Sequence, residues 1–550
     1  MTLLAGFLDV MLRGVGLIAL AAAVGGIAYA LWGLRPLSPL SPLGVAAVRR
    51  ALALVSTGAV VLAASRALLL LVIHPWALMD EHGRWPVREF LATDFGRGGL
   101  VSIVFAVGLA VAAFRLRSRV SWRRGWILAG VLAVLLLASG AWLAHALSRL
   151  NGREPLMAVT VLHQLGAALW IGGLIHLVGF RGLARGAGAG DPLGPQLLSR
   201  FSVLAFPAIG LVLVPGLVLS WAYIGDWGGV IGTGYGLMVL TKVALFLAAL
   251  ALGGLNFLFV RRWVRARAAG SARAVPVLIE AEAGIGITIL LAASSLTSLP
   301  PAVDVVTDRA TPTEVAARFV PKAPRLVSPP VGQLLAVAAP IDDTLSTRQA
   351  EEYAWSEYNH HVAGFFVSGM GLLALVDRTG RVPWARHWPL GLLGLAAFLF
   401  MRSDPRAWPL GPAGFWESMV LPDVLQHRLV VLIVVGLAVF EWLVRAGRLR
   451  RPGWRLVFPV LCAVGGALLL THSHAMFNLK TEFLAEVSHA PMGILGVFMA
   501  WGRWIEIRLP GAARPGGAGD EFAPARRLVG FVWAIAMVLI GAILLFYRET

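Results

Sequence analysis

Cysteine is all but missing from this chain. The single one, Cys462, lies within an apolar run, so an intrachain disulfide is excluded. Charge is scarce as well, with only 14% of residues Asp, Glu, Lys or Arg. Acids are the rarer sign, 29 against 47 basic residues, and the net charge is +18. Almost all the basic residues are arginine, which argues against a lysine-rich binding tail. No GxxxxGK phosphate-binding loop is present, so nothing in the chain points to nucleotide as an energy source. No Lys or Arg precedes Arg13, and the first apolar run continues to Trp32. That favours a retained first span over a cleaved signal peptide, which needs a basic start and a shorter core.

What is abundant is apolar surface. Hydrophobic residues make up 58% of the chain and the mean hydropathy is +0.78, which excludes an ordinary soluble protein. The runs are long and continuous, as in membrane helices, and lack the short alternating segments of a closed barrel. The fold class expected is therefore all-α: a polytopic helical membrane protein with about 14 transmembrane helices in an 8 + 6 arrangement. The expected spans are residues 5–33, 51–75, 98–116, 125–148, 157–180, 201–223, 238–260, 277–299, 359–377, 387–402, 421–444, 455–473, 484–505 and 528–547. The tenth is short.

Arginines orient these spans. Loops after odd-numbered spans hold Arg115, Arg117, Arg119, Arg123 and Arg124, then Arg261, Arg262, Arg265 and Arg267, then Arg445, Arg448, Arg450 and Arg451. Positive loops stay in the cytoplasm, so both termini are expected outside. Topology thereby accounts for the basic charge, and nucleic acid drops out as a partner. One outward connection breaks the rhythm: a proline-rich stretch (PKAPRLVSPP) inside residues 302–358. It divides an eight-helix module, 1–301, from a six-helix module, 359–550.

With orientation assigned, every histidine except His176 and His387 falls toward the outer side. In the fifth span His163 lies in the outer half and His176 near the inner end. They are thirteen residues apart, about 20 Å along a helix and some 220° around it, so they mark two stations rather than one site. In the second module, His361, His427, His474 and His489 come from four spans at one level, and Met492 follows His489 by one helical turn. Imidazole is the commonest protein metal ligand and thioether sulfur suits Cu(I), so this set is a candidate shared cofactor site. Glu357 and Glu486 are spaced to orient His360 or His361 and His489 as acceptors. The same four histidines would alternatively serve haem as axial ligands, with Gly465, Gly466, Gly493 and Gly496 lining a flat slot. Glu280 and Glu282 open the eighth span from inside, either as an ion station or as acids paired with Lys242 or nearby arginines.

The blocks LHQLGAALWIGGLIHL (162–177), SRFSVLAFPAIGLVLVPGLVLSW (199–221), TGYGLMVLTKVALFLAALALGGLNFLFV (233–260) and EAEAGIGITILLAASSLTSLPP (280–301) resemble the copper resistance protein D family of bacterial inner-membrane proteins. The resemblance covers roughly residues 1–301. It implies an eight-span bundle that handles copper at the periplasmic face, often beside a periplasmic copper-binding partner of the CopC type. Residues carried over are His163 and His176, with Trp170 and Lys242 as pattern residues. The family often has a histidine directly after a Ser-Gly pair in the fourth span; here Ser139-Gly140 is followed by Ala141, and His145 comes a turn later. No motif in the second module names a reaction, and the chain reads as a copper-handling protein rather than an enzyme. Copper captured at the outer histidines would pass His163 toward His176, down a gradient or coupled to protons. The rival readings are a haem-binding redox protein and a cytochrome-oxidase copper-assembly factor.

Reporter fusions test the orientation. Fusions after Arg124, Arg273 and Arg455 should report cytoplasm, and fusions within residues 302–358 should report the outside. A cytoplasmic signal from that linker would reverse every depth given above.

Overall fold

The computed structural model describes residues 2–37, 42–79, 83, 85–143, 152–184, 193–266, 269–337, 350–471, 479–511 and 520–549. Among them every regular element is helical. Thirteen helices are long and apolar enough to cross a membrane, so this is a multi-pass membrane protein. They are α1 (Leu4–Leu34), α2 (Pro42–Ala77), α3 (Asp94–Ser118), α4 (Arg123–Leu143), α5 (Arg153–Arg181), α6 (Leu193–Ile224), α7 (Gly234–Arg262), α8 (Arg273–Ser295) and α9 (Ala350–Arg378). After α10 follow α11 (Val424–Arg445), α12 (Pro452–Leu470), α13 (Lys480–Arg508) and α14 (Ala523–Leu545).

The element α10 accounts for the difference from the expected count of about 14. The tenth stretch is a 3-10 turn, Pro383–Leu390, followed by an α-helix of only 11 residues, Gly391–Met401. Pro389, inside the turn, has no N–H for a regular helical bond, whereas Pro383 at its start is compatible with any helix. Because a 3-10 turn rises about 2 Å per residue, the two pieces together still extend roughly 32 Å. That length matches the hydrocarbon core, so the alternation of the later loops is preserved.

Glycine lets helices approach where the first half is tightest. A π-turn in α1 (Ala21–Gly25) lies against a π-turn in α5 (Ala168–Gly172). A Cβ on Gly25 would collide with the Ala168 carbonyl, and one on Gly172 with the Ala21 carbonyl. The next contact is set by proline. Pro215 within α6 has no N–H to offer the preceding turn. Beside it α5 comes so close that a Cβ on Gly166 would lie 2.7 Å from Ala208 O.

The two halves share a seam along α8. Gly284 admits the Trp501 ring of α13, which would overlap any larger side chain. The Glu280 carboxylate takes Arg181 from α5 on one side, and Trp504 Nε1 (2.9 Å) and Arg508 (3.2 Å) from α13 on the other. Ser295 Oγ donates to Leu470 O at 3.3 Å near the opposite end of the seam. Accordingly the apolar core of α1–α8 also includes Leu470 and Val497. A separate core lies within α9–α14, built on Ala374, Trp388, Ala438 and Trp533. Its charges are balanced in one buried network: Arg378 and Arg503 hold Glu506, Arg503 and Arg445 hold Glu441, and Arg445 also takes Asp377.

The long connection after α8 folds back on one end of the bundle. Its helix Pro312–Arg318 starts in a capping box made by Thr311 and Glu314. Arg309 binds Asp226 in the α6–α7 loop (2.8 Å), and Glu314 binds Lys480 at the start of α13 (2.8 Å). The Lys480 ammonium and the Thr311 N–H together hold the Glu314 carboxyl down to about 2. Arg402, after α10, reaches Ser328 at 2.6 Å and Asn359 at 2.8 Å. These loops therefore share one end of the molecule, the linker end; the arginine-rich loops form the other. Exposed Trp221, Trp227 and Trp416 sit beside linker-end loops, where indole rings favour a lipid–water boundary.

The Gly25–Gly172 crossing is the least forgiving contact of the first half. Gly172→Ala should destabilise the purified protein by on the order of 1–3 kcal/mol, the range for overpacking. A thermal unfolding curve in detergent, compared with Gly210→Ala on an open α6 position, checks it.

Candidate metal-handling site

Both histidines of α5 donate to a backbone carbonyl of a neighbouring helix. His163 Nδ1 lies 2.9 Å from Val212 O of α6. His176 Nε2 lies 2.8 Å from Ala22 O, in the π-turn of α1. A carbonyl only accepts, so each ring is held as one tautomer, with its N–H on that oxygen. The lone pair is then on His163 Nε2 and on His176 Nδ1. This is how ligating histidines are usually oriented, by the N–H opposite the ligating nitrogen. His176 is buried, and its Nδ1 has no hydrogen-bond partner among the described residues. The Tyr29 hydroxyl is also buried without a partner there, and the two rings are 5.6 Å apart.

Glycines make room at both stations. A Cβ on Gly216 would lie 3.1 Å from His163 Cε1, and one on Gly26 would strike the His176 ring. The Lys242 ammonium of α7 lies within electrostatic reach of His163. Between the stations, Trp170 Nε1 donates to Glu282 Oε1 at 2.9 Å, and Asn256 Nδ2 donates to Oε2 at 2.8 Å. The two acids of α8 thus divide: Glu280 is an ion-pair partner of arginines, while Glu282 is buried among neutral donors.

In the second half, one of the expected histidines is engaged elsewhere. His361 uses both ring nitrogens: Nδ1 accepts the Arg325 N–H at 2.6 Å and Nε2 donates to Tyr547 O at 2.8 Å. A ring so engaged offers no lone pair to a metal, and it ties the linker to the C-terminal segment instead. Its neighbour His360 is the one that meets α13, with ring centroids 5.6 Å from His489, and it stacks on Tyr547 at 3.8 Å. Tyr547 also approaches His489 at 5.8 Å. His427 is on α11, which packs chiefly on α10 and α12. Met492 is buried on α13, one turn after His489. His474 lies outside the described residues, as do His82, His145 and His472. Among the described residues no three His, Cys, Asp or Glu side chains converge as a metal group.

Two features escaped sequence reasoning. Tyr547 and Glu549 close the linker-end cluster: Tyr547 Oη donates to Glu549 Oε1 at 2.6 Å, and Glu549 N donates to Glu357 at 3.2 Å. Nothing in the terminal residues signalled this. Of the glycines read as a haem slot, Gly466, Gly493 and Gly496 are packing contacts, while Gly465 faces open space. A Cβ on Gly466 would lie 3.0 Å from Gly493 O, and one on Gly496 would lie 3.3 Å from Gly466 Cα. Helices α12 and α13 fill the space that a flat macrocycle would need.

Residues 195–296 match the copper resistance protein D family. The chain is similar to "Copper transport protein CutJ" of Bacillus subtilis (strain 168), 32% identical over 166 residues, or 30% of this chain and 29% of the relative. It is also similar to "Copper resistance protein D" of Pseudomonas syringae pv. tomato, 28% identical over 239 residues, or 41% of this chain and 74% of the relative. The chain therefore spans under a third of the first relative and about three quarters of the second. No solved structure matches it. The matched stretch is α6 to α8, which supplies Val212 to His163 and carries Lys242, Asn256 and Glu282.

His361→Ala leaves the Arg325 N–H and the Tyr547 carbonyl without their partner, a loss of about 1–3 kcal/mol. The expected result is faster proteolysis within residues 319–337 of the folded protein, with copper content unchanged. A mass map of limited-digestion fragments reads it.

Proposed function

We propose, from the match of residues 195–296 to the copper resistance protein D family, that this chain moves copper through the membrane in bacterial copper homeostasis. Residues 1–301 form the transporting unit, 302–358 a periplasmic linker and 359–550 an accessory membrane unit. The protein sits in the bacterial inner membrane with both termini periplasmic. The observation that carries the reading is the pair of α5 histidines. Each is held by a carbonyl on the side opposite its lone pair, at two depths of the helix that the matched segment packs against. Neutral imidazoles in this state suit Cu(I), and two weakly furnished stations permit release by ligand exchange.

Capture belongs to the linker end. His489 and Met492 on α13 supply an imidazole and a thioether, with His474 and His427 as further donors and His360 in place of His361. A CopC-type copper-binding protein is the partner expected to dock there. Haem is the weaker reading, because Gly466, Gly493 and Gly496 are occupied by helix packing.

Copper uptake into proteoliposomes, with metal analysis of the same protein, tests this. His163→Ala and His176→Ala should each lower uptake on the order of tenfold or more. His387→Ala, whose ring accepts from Trp442 at 3.0 Å far from either station, should leave it unchanged. Wild-type uptake in both α5 variants at normal protein levels would overturn the pathway. A Soret band in the wild-type protein would restore haem.

A further inference from the structure

Glu282 lies inside the bundle with 4% of its surface exposed, and both carboxyl oxygens face neutral groups. One accepts from an indole N–H, the other from an amide. Among the described residues these two neutral groups are its hydrogen-bond partners, and no ion pair reaches it. Charged groups on the helices packed against α8 are engaged elsewhere. Arg181 and Arg508 hold Glu280, Arg503 holds Glu441 and Glu506, and Arg13 holds Asp9. Arg261, Arg262 and Arg273 are exposed at the arginine end. His176 donates to Ala22 O, and among the described residues Lys242 makes no ion pair or hydrogen bond with Glu282. An isolated carboxylate in such surroundings carries a desolvation penalty of several kcal/mol, which hydrogen bonds from neutral donors do not repay.

A second observation completes the argument. Asn256 is buried, and its Oδ1 has no partner among the described residues. The amide that donates to Glu282 thus keeps its own oxygen without a donor, next to an acid whose two bonds come from neutral N–H groups. Gly253 on the same helix keeps the space beside Oε1 open: a Cβ there would lie 3.1 Å away. Hard oxygen donors of this kind suit a proton or a hydrated proton better than Cu(I).

We infer that Glu282 is a neutral carboxylic acid in the resting protein and the proton-exchange site of the first half. It releases its proton to water when a cation enters the bundle and takes one back when the cation leaves. The carboxylate charge formed in the first step is compensated by the entering cation, so net charge inside the membrane is held constant. That the cation is copper rests on the function proposed above; the acid itself does not.

Infrared spectroscopy of the full-length protein in liposomes tests this without copper. The wild type should show a carboxylic-acid C=O band that is absent from E282Q and shifts down on transfer to D2O. No difference between the two proteins would mean that Glu282 is ionised at rest, and a band unmoved by D2O would mean a sealed structural acid; either overturns the inference. Should E282Q fail to fold, a hydrophobic carbodiimide replaces it. The acid O–H adds across the C=N bond to give an adduct on the wild-type peptide containing Glu282, and an unmodified peptide overturns the inference. Adding Cu(I) should then bleach the wild-type band. A full band in protein that metal analysis shows to be copper-loaded would sink the exchange, whereas protein that takes up no copper would count against the copper reading alone.

Discussion

A carboxylate within a bilayer must be neutralised, and at Glu280 the neutralising groups come from both halves of the chain. Arg181 reaches it from α5, and Arg508 and Trp504 reach it from α13. With two arginines and an indole N–H on one carboxylate, loss of a single partner leaves the others in place. The same rule shapes the second half, where arginines alternate with Glu506, Glu441 and Asp377 and the surrounding Trp388 and Trp533 rings exclude water. Against this background of paired acids, Glu282 stands out by its neutral surroundings. Two acids two residues apart thus take different roles, decided by which helix faces each.

Much of the architecture was legible from apolar run length. A membrane span must be about 20 residues and polar groups must lie between spans, so position in sequence nearly equals depth. The α10 stretch departed because proline dictates a 3-10 turn, which composition alone does not reveal. Depth is also what made the α5 histidines visible as stations at two levels.

Rotation about the helix axis was not legible. Adjacent residues on a helix point about 100° apart, so the sequence could not tell whether His360 or His361 meets α13. Packing gave that place to His360 and turned His361 toward the linker backbone. The glycines of α12 and α13 show the same limit. Small residues permit close approach, but whether a ligand or another helix makes the approach depends on the partner surface. Tyr547 closes the last expected span, and hydropathy does not reveal that the chain there turns back onto His360 and Glu549.

The seam has a mechanical consequence. It is fastened near one end by Glu280 and near the other by the Ser295–Leu470 bond, and the linker straps Asp226, Lys480 and Arg402 together across the same face. A bundle riveted at both ends resists rocking of one half against the other. For the transport proposed above, opening to either side would then rest on flexure within α1–α8. The compliant member there is α6, whose two internal prolines break its hydrogen-bond ladder beside the His163 station. In engineering terms the second half is a frame and α6 the compliant rib of the first half.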